Sequence, residues 1–495
     1  MKKHQLVWFK RDLRLNDHEP LREAMASNET VILIYIFEPS LMQAPEYDTR
    51  HWRFVWQSLM DLKNRLSQMG QHLNIVVGEA IPVLEKIQEQ FAIQTIQSHE
   101  ETGVKHTFDR DKEVAKWCKS KDIDWKEYQN NGVIRRLPNR KFWAQHWHDW
   151  VAKPIREITW TDQKTIPIHL FQHAEDLLHQ DLFLTHNTMQ TGGETMAWRY
   201  LNGFLNQRHR TYMQHISKPL KSRTSCSRIS PYMAWGNVSI RQVYQATKVA
   251  ATQSNSKRNL QQFQSRLMWH CHFIQKFETE CRIEFENFNR AFDSIRFEEN
   301  AQMFEAWQYG KTGYPLIDAA MRCLIETGYL NFRSRAMLVS FLTQHLWQHW
   351  KNGATWLAKQ FLDFEPGIHF PQIQMQAGCT GINTIRIYNP VKQSKDHDAD
   401  AVFIKKWIPA LSQLPNEMAH EPWKMTAMDK LLYSFDANTY PQPMIDIEKA
   451  AAFARKEIWD KMKTRETQIE NKRILKKHVK SAQRKKSESK GKSVS

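Results

Sequence analysis

Residues 306–393 decide how the rest of the chain reads: AWQYGKTGYPLIDAAMRCLIETGYLNFRSRAMLVSFLTQHLWQHW at 306–350, then FLDFEPGIHFPQIQMQAGCTGINTIRIYNPVKQ at 361–393. Gly313-Tyr314-Pro315 is a turn, Leu316 to Ile325 a helix of apolar and small residues, and Gly328 its stop. Leu338, Phe341, Leu342, His345, Leu346, His349 and Trp350 recur at helical spacing and predict a second helix running through to Trp350. Arg333, Arg335, Asp363 and Glu365 stand among these apolar residues. Charges in such surroundings are paired, because an unpaired one costs several kcal/mol, so an Arg-to-carboxylate link is expected. Taken alone, that link is an internal salt bridge of a helical domain.

Upstream the pattern changes. Residues 5–9, 30–37, 72–77 and 93–97 are short apolar, β-branched runs, separated by helical patterns such as Trp52 to Leu66 and Ile81 to Phe91. The alternation predicts a doubly wound α/β domain with a parallel sheet over residues 1–135. No G-x-G-x-x-G follows the first run, so a dinucleotide grip there is unsupported. Lys10 to Asp17 (KRDLRLND) reads unaided as a solvated charged loop. Residues 136–190, rich in Trp, His, Pro and Asp, read as a long linker between domains. From 191 to 455 the pattern is helical, divided by Pro219, Gly236, Gly313, Pro366 and Pro390. Residues 456–495 read as a basic tail, disordered at its end.

The chain has 495 residues, and two domains are the default at that length. Its net charge of +17 suggests a polyanionic partner. Lys472 to Lys492 hold ten Lys/Arg and one Glu, which puts +9 in the tail and leaves +8 for the body. That suffices for one basic face. Cys118, Cys226, Cys271, Cys281, Cys323 and Cys379 show no CxxC spacing and read as reduced thiols. His270-Cys271-His272 with Cys281 suggests a metal, but adjacent helical residues point about 100° apart and cannot share a ligand face. No metal is expected. No apolar run reaches about 18 residues and the N-terminus has no signal-peptide core, so the expectation is a cytoplasmic monomer without a membrane span.

The quoted stretch resembles the flavin-binding core of the photolyase/cryptochrome family. W-x-x-G-x-T-G-Y-P-L-I-D-A-A-M-R, G-Y-x-x-x-R-x-R, L-D-x-E and R-I-Y-N-P-x-x-Q follow the family's order and spacing, and the likeness runs from about residue 4 to about 440. KRDLRLND and Ser98-His99-Glu100-Glu101-Thr102-Gly103 resemble signatures of its N-terminal domain, which can hold an antenna pigment. The resemblance implies an α/β domain followed by a larger all-α domain that binds FAD. It also implies blue-light-driven repair of pyrimidine dimers in DNA, with a cryptochrome-type photoreceptor as the alternative. An iron–sulfur cluster, found in one branch, lacks a convincing ligand set.

Carried over residue by residue, the resemblance assigns the FAD site to Tyr212, Cys226, Ser227, Arg228, Ser230, Arg335, Asp363, Glu365 and His369. Thr224 to Tyr232 is by itself a Ser-rich helix cap, and the family binds the flavin phosphates with this loop. Arg335 and Asp363 match the salt bridge against the flavin ring, and Glu365 stands where a second carboxylate does. His369 replaces the Asn that faces flavin N5 in repair enzymes; a His there can donate a proton and titrates near neutral pH. For substrate, Trp269 matches the ring that stacks on a flipped-out dimer, and Gln393 matches a DNA-contacting Gln. Arg266 replaces the family's catalytic Glu, Phe332-Arg333 its Asn–Arg pair, and Ala336 a pocket Met. The catalytic assignment is therefore Trp269, Arg266 and Arg333, with Arg266 able to stabilise negative charge on the dimer. The Trp relay to the surface aligns with Ile373, Trp350 and Phe297, so only Trp350 survives. Trp307, Trp347, Tyr329 and Tyr309 are the other aromatic routes.

Overall fold

The computed structural model describes residues 4–155, 157–160, 164–296 and 299–478. β1 (His4–Phe9), β2 (Thr30–Phe37), β3 (Asn74–Val77), β4 (Ile93–His99) and β5 (Asp124–Tyr128) form an all-parallel sheet ordered β3-β2-β1-β4-β5. Four of these strands are the apolar runs. The fifth, Asp-Trp-Lys-Glu-Tyr, is a polar edge strand with no fully buried residue, so it leaves no apolar signature. The helices Thr49–Gln68 and Ala80–Phe91 lie where helical patterns were read. Both faces of the sheet are covered: Val7, Phe9 and Leu33 face one core, Leu6, Trp8, Ile32 and Ile34 the other. Two-sided burial explains why the central strands are apolar throughout.

The charged segment after β1 is not solvated. Lys10, Asp12, Arg14 and Asp17 are buried, and Arg11, Arg14 and Asp17 staple the sheet to the helical domain. Arg14 donates to the Gly236 carbonyl (3.1 Å), Arg11 to the carbonyls of Ala234 (3.0 Å) and Phe364 (2.6 Å), and Asp17 accepts from Ser239 (2.6 Å) and Arg241 (2.9 Å). Six charged or polar residues in eight look like a surface loop unless the partner domain is known. Gly236 lies at φ 71°, and a Cβ there would stand 2.2 Å from the Arg11 carbonyl, so only glycine allows this approach.

The segment 136–190 is held on both sides. Its helix Trp143–Ala152 buries Trp143, Trp147 and Trp150, and Ile166 donates to the Val31 carbonyl on β2 (3.1 Å). In the helical domain, Pro315 opens the helix Pro315–Thr327 and Gly328, at φ 66°, closes it. Asp318 is the hub of the turn before it. Its carboxylate accepts from the Thr312 N–H (2.8 Å) and hydroxyl (2.6 Å), the Gly313 N–H (3.1 Å) and the Tyr440 hydroxyl (2.6 Å).

The expected second helix is broken. The helix Phe332–Ser340 passes into a π-helical turn, Phe341–His345, and Trp347 at φ 53° ends it; a new helix, Trp350–Gln360, begins at Trp350. His349, which fitted the apolar stripe, caps that helix by accepting from the Lys351 N–H (3.1 Å). The tail also differs from its reading. The helix Ile447–Lys463 runs through position 455, and Arg465–His478 follows it, packed on the body with Thr467, Ile474 and His478 buried. Arg473 (2.8 Å) and His478 (2.6 Å) both reach Glu280. Residues 479–495, the rest of the basic tail, lie outside the described residues. Among the described residues no helix is long and apolar enough to cross a membrane.

Candidate functional site

Four segments of the helical domain matter here: residues 208–230, the helix Lys257–Thr279, and the stretches 329–335 and 361–369. In the first, Arg208 draws the carbonyls of Cys226 (2.7 Å) and Ser227 (3.4 Å) to one side. Arg228 adopts φ 58°, donates to Gln190 Oε1 (2.8 Å), and accepts Gln190 Nε2 on its own carbonyl (2.9 Å). Its guanidinium lies 3.7 Å from the centre of the Tyr329 ring. The helix after the loop, Ser230–Ala234, is a single turn, so this cradle offers hydroxyls and loop backbone with no sustained helix dipole. Tyr212 is buried edge-on against Phe204 and Phe263, and Arg266 meets its phenol, which burial pushes well above its ordinary pKa.

Arg335 and Asp363 are brought together, Nη2 to Oδ2 at 2.8 Å. Arg335 is further placed by the Leu330 carbonyl (2.9 Å) and by Phe361, whose ring centre is 3.9 Å away. Burial works to raise the Asp363 carboxyl, but Arg335 and the Ser230 hydroxyl outweigh it and hold it below its ordinary value. Asp363 Oδ1 is buried without an aligned hydrogen-bond donor from the protein. An ionised carboxylate with one oxygen to spare is a ready acceptor for an imide N–H. That donor set, beside a hydroxyl-rich loop, fits a flavin dinucleotide.

Glu365 pairs with a residue of the sheet domain. It lies 3.5 Å from Arg11 in a narrow cleft between the two domains, lined also by Lys10, Asp12, His99 and Glu101. Burial raises it to about 7, with Arg11 opposing and Glu101 assisting. His369 also departs from expectation. Its Nε2 is 2.8 Å from the Ala354 carbonyl, and since a carbonyl only accepts, Nε2 carries the proton and Nδ1 is the acceptor. Burial pushes its pKa down to about 4, so it is neutral at pH 7 and titrates far below the expected range.

The residues that the resemblance assigns to substrate differ in exposure. Trp269 is 49% exposed and Phe332 48%, large rings left half bare. Arg333 stands 5.6 Å from the Tyr388 ring, Gln393 is half-buried with Oε1 lacking a protein partner, and Ala336 is buried. Arg266 reaches the Tyr212 phenol, and Asn331 donates to the Ile216 carbonyl (3.0 Å). Burial pushes the His270 imidazole down to about 4, with the charge of Asp363 opposing.

Of the aromatic residues, Trp350 is buried and donates to Asn287 (2.8 Å), Ile373 is buried, and Phe297 lies outside the described residues. Trp307 is buried and donates to the Leu338 carbonyl (3.1 Å), Trp347 packs on Phe453, and Tyr329 lies under Arg228. Tyr309 is half exposed and packs edge-on to Trp356 at 5.7 Å, a partner the sequence reading missed. His272 turns to Arg140 (3.0 Å), away from His270. Among the described residues, Asp12, His18 and His99 converge. His18 Nδ1 already accepts the Leu21 N–H (3.1 Å), so its Nε2 bears the proton toward Asp12 (3.0 Å) and has no lone pair to give a metal.

Comparison with known proteins agrees with this geometry. The family model for the FAD binding domain of DNA photolyase matches residues 263–460, and that for DNA photolyase matches residues 5–136. Cryptochrome DASH of Gloeobacter violaceus is 26% identical over 90% of this chain and 94% of its own. The deoxyribodipyrimidine photo-lyase of Alkalihalophilus pseudofirmus is also 26% identical, over 90% and 95%. The crystal structure of a Synechocystis sp. cryptochrome matches with a TM-score of 0.84 at 24% identity, over 92% of this chain and 99% of that one, which is a likeness of fold.

Proposed function

The chain belongs to the photolyase/cryptochrome family and binds FAD, and from that premise we propose that it is a light-driven DNA repair enzyme acting on UV-induced pyrimidine dimers. The observation that carries this reading is the half-bare state of two large aromatic rings, Trp269 and Phe332, the second directly before Arg333 in the chain. A monomer with exposed aromatics next to a guanidinium is prepared to stack on unpaired bases and to meet a phosphate.

The residues divide the work. Tyr212 and the Cys226–Ser230 loop hold the phosphates and ribitol, and Arg335 with Asp363 holds the ring. His270 and the neutral His369 add uncharged polar edges. When bound, reduced and excited by blue light, the flavin supplies one electron. Trp269 holds the dimer against the cavity, and Arg333 puts positive charge where the substrate gains negative charge. Arg266, held at the Tyr212 phenol, contributes in the same sense from the cavity side. Tyr309 and Trp356 offer a route for electrons from the surface, in place of the relay interrupted at Ile373. An antenna pigment would find its place in the cleft where the sheet order reverses, between β1 and β4, with Glu365 and Arg11 on its far wall.

The photoreceptor reading draws on Arg266 and Phe332, which stand where repair enzymes have an acid and an amide. Binding of lesion-bearing and undamaged oligonucleotides, wild type against Trp269→Ala at one salt concentration, separates the two. Repair predicts a lesion preference that drops about five- to hundredfold in the variant, as stacking is lost. Binding to undamaged duplex, set by phosphates, should change little. A wild type without lesion preference excludes repair in favour of the receptor.

A further inference from the structure

Through His272, the half-bare Trp269 is tied to a buried cation. Arg140 is 4% exposed and lies just before the helix Trp143–Ala152, in the segment between the domains. Its Nη2 donates to His272 Nδ1 (3.0 Å), and its guanidinium carbon stands 4.6 Å from the centre of the Trp143 ring. Its Nε and Nη1 are buried without a hydrogen-bond partner. Burial pushes its pKa down to about 10, and no carboxylate among the described residues opposes. Arg110 and Arg11, by contrast, lie against acids: Glu38, Glu101 and Asp111 for the first, Glu365 for the second. A charge buried without an acid costs stability. What Arg140 holds is an imidazole. A guanidinium only donates, so His272 Nδ1 accepts and Nε2 carries the proton. Burial pushes the His272 pKa down to about 3, with the charges of Arg140, Lys276 and His478 acting in the same sense, so the ring stays an acceptor at pH 7. His272 follows Trp269 by three residues on the helix Lys257–Thr279, and the two rings meet edge-on, 5.0 Å apart at 62°. Trp143 closes on His272 at 5.9 Å, and the buried Phe273 lies 5.9 Å from Trp269. Among the described residues, the ring contacts of Trp269 are with His272 and Phe273.

We propose that Arg140 and His272 are positioning residues for lesion binding: the guanidinium locks the imidazole, and the imidazole edge holds the Trp269 ring in one orientation before a dimer arrives. The proposal rests on the repair reading, in which Trp269 is the ring that receives the dimer. An indole with half its surface in water otherwise samples several rotamers, and binding has to freeze them. A hydrogen bond from a charged donor is short and directional, so it fixes the plane of the imidazole more tightly than apolar packing alone. The donor comes from a segment 132 residues away in the chain, which fastens the helix that carries Trp269 to the segment between the domains. Neither residue takes part in the chemistry.

The test uses full-length, flavin-loaded protein carrying fluorotryptophan, with the Trp269 line identified as the fluorine NMR signal missing from Trp269→Phe. The wild type should give one narrow line, and Arg140→Met should broaden or split it. In fluorescence anisotropy, Arg140→Met and His272→Ala should each weaken binding of dimer-containing oligonucleotides about two- to tenfold, the cost of freezing one side chain set free. The double variant should bind no more weakly than His272→Ala alone, because without the imidazole Arg140 has nothing to hold. Flavin content and binding to undamaged duplex, set by phosphates, should stay at wild-type values. Should His272→Ala fail to fold with Arg140 left without its acceptor, Arg140→Met, which removes the buried charge, decides alone. The proposal is overturned if the Trp269 line of Arg140→Met matches the wild type. It is also overturned if undamaged duplex loses as much affinity as lesion-bearing DNA, which would make the guanidinium a phosphate contact, or if the losses of the two single variants multiply in the double one. A wild type without lesion preference sinks the repair reading instead, and the fluorine line of Arg140→Met still decides whether Arg140 holds the ring.

Discussion

Asp363→Ala tests the flavin site most directly. The substitution removes a carboxylate that is 6% exposed and its 2.8 Å contact with Arg335. Breaking a fully buried pair costs about 3–5 kcal/mol, because the remaining charge is stranded. Arg335 would not be stranded: its side chain is 27% exposed, and it keeps the Leu330 carbonyl and the Phe361 ring. The folding cost should therefore be smaller, about 1–2 kcal/mol, close to the value of one charge-assisted hydrogen bond. Flavin loses more in specificity, since Asp363 Oδ1 is the buried acceptor left open by the protein. Loss of a charged acceptor is worth about 1.5–3 kcal/mol, or roughly 10- to 150-fold in Kd. The assay is titration of apoprotein with FAD by fluorescence, with melting temperature measured alongside. Asp363→Asn, which keeps an acceptor oxygen, should fall between wild type and Ala. Wild-type Kd in Asp363→Ala would refute the placement of the flavin ring against this pair. A large loss of melting temperature without loss of affinity would make the pair structural only.

The C-terminal boundary gives a second expectation. Truncation after His478 should leave melting temperature and flavin content unchanged, whereas truncation after Thr464 removes the buried Thr467 and Ile474 and the contacts to Glu280, lowering stability by at least the roughly 2–5 kcal/mol of an Ile474→Ala cavity; calorimetry of the two shortened proteins distinguishes them. The same contact predicts acid sensitivity. Burial works to raise the Glu280 carboxyl, but His478, Arg282 and Arg473 bring it from 4.5 down to about 2. A depressed carboxylate stabilises above its unfolded pKa, so the docking of Arg465–His478 should be intact above about pH 5 and lost as pH falls from 4.5 toward 2. Limited proteolysis near residue 464 across that range reads it out, and Glu280→Gln should abolish the pH dependence.

Local sequence determined much of this protein. Four strands, the helices between them, and the turn and helix around Pro315 were legible because apolar period, proline and glycine act over a few residues. The pairing of Arg335 with Asp363 was legible as a need, since charges among apolar residues require a partner, and motif spacing told which one. Tertiary structure decided what depends on a distant neighbour. KRDLRLND is buried because its partners are Ala234, Gly236, Ser239 and Phe364, more than two hundred residues away. Glu365 differs from Asp363 by two positions, yet Asp363 meets Arg335 and Glu365 meets Arg11, partners more than three hundred residues apart in the chain. The helix break at Trp347, the docking of Arg465–His478 and the neutrality of His369 belong to the same class. Propensity and pattern fix how a segment can fold. Which face is buried, and against which charge, is fixed only when segments far apart in the chain exclude water between them.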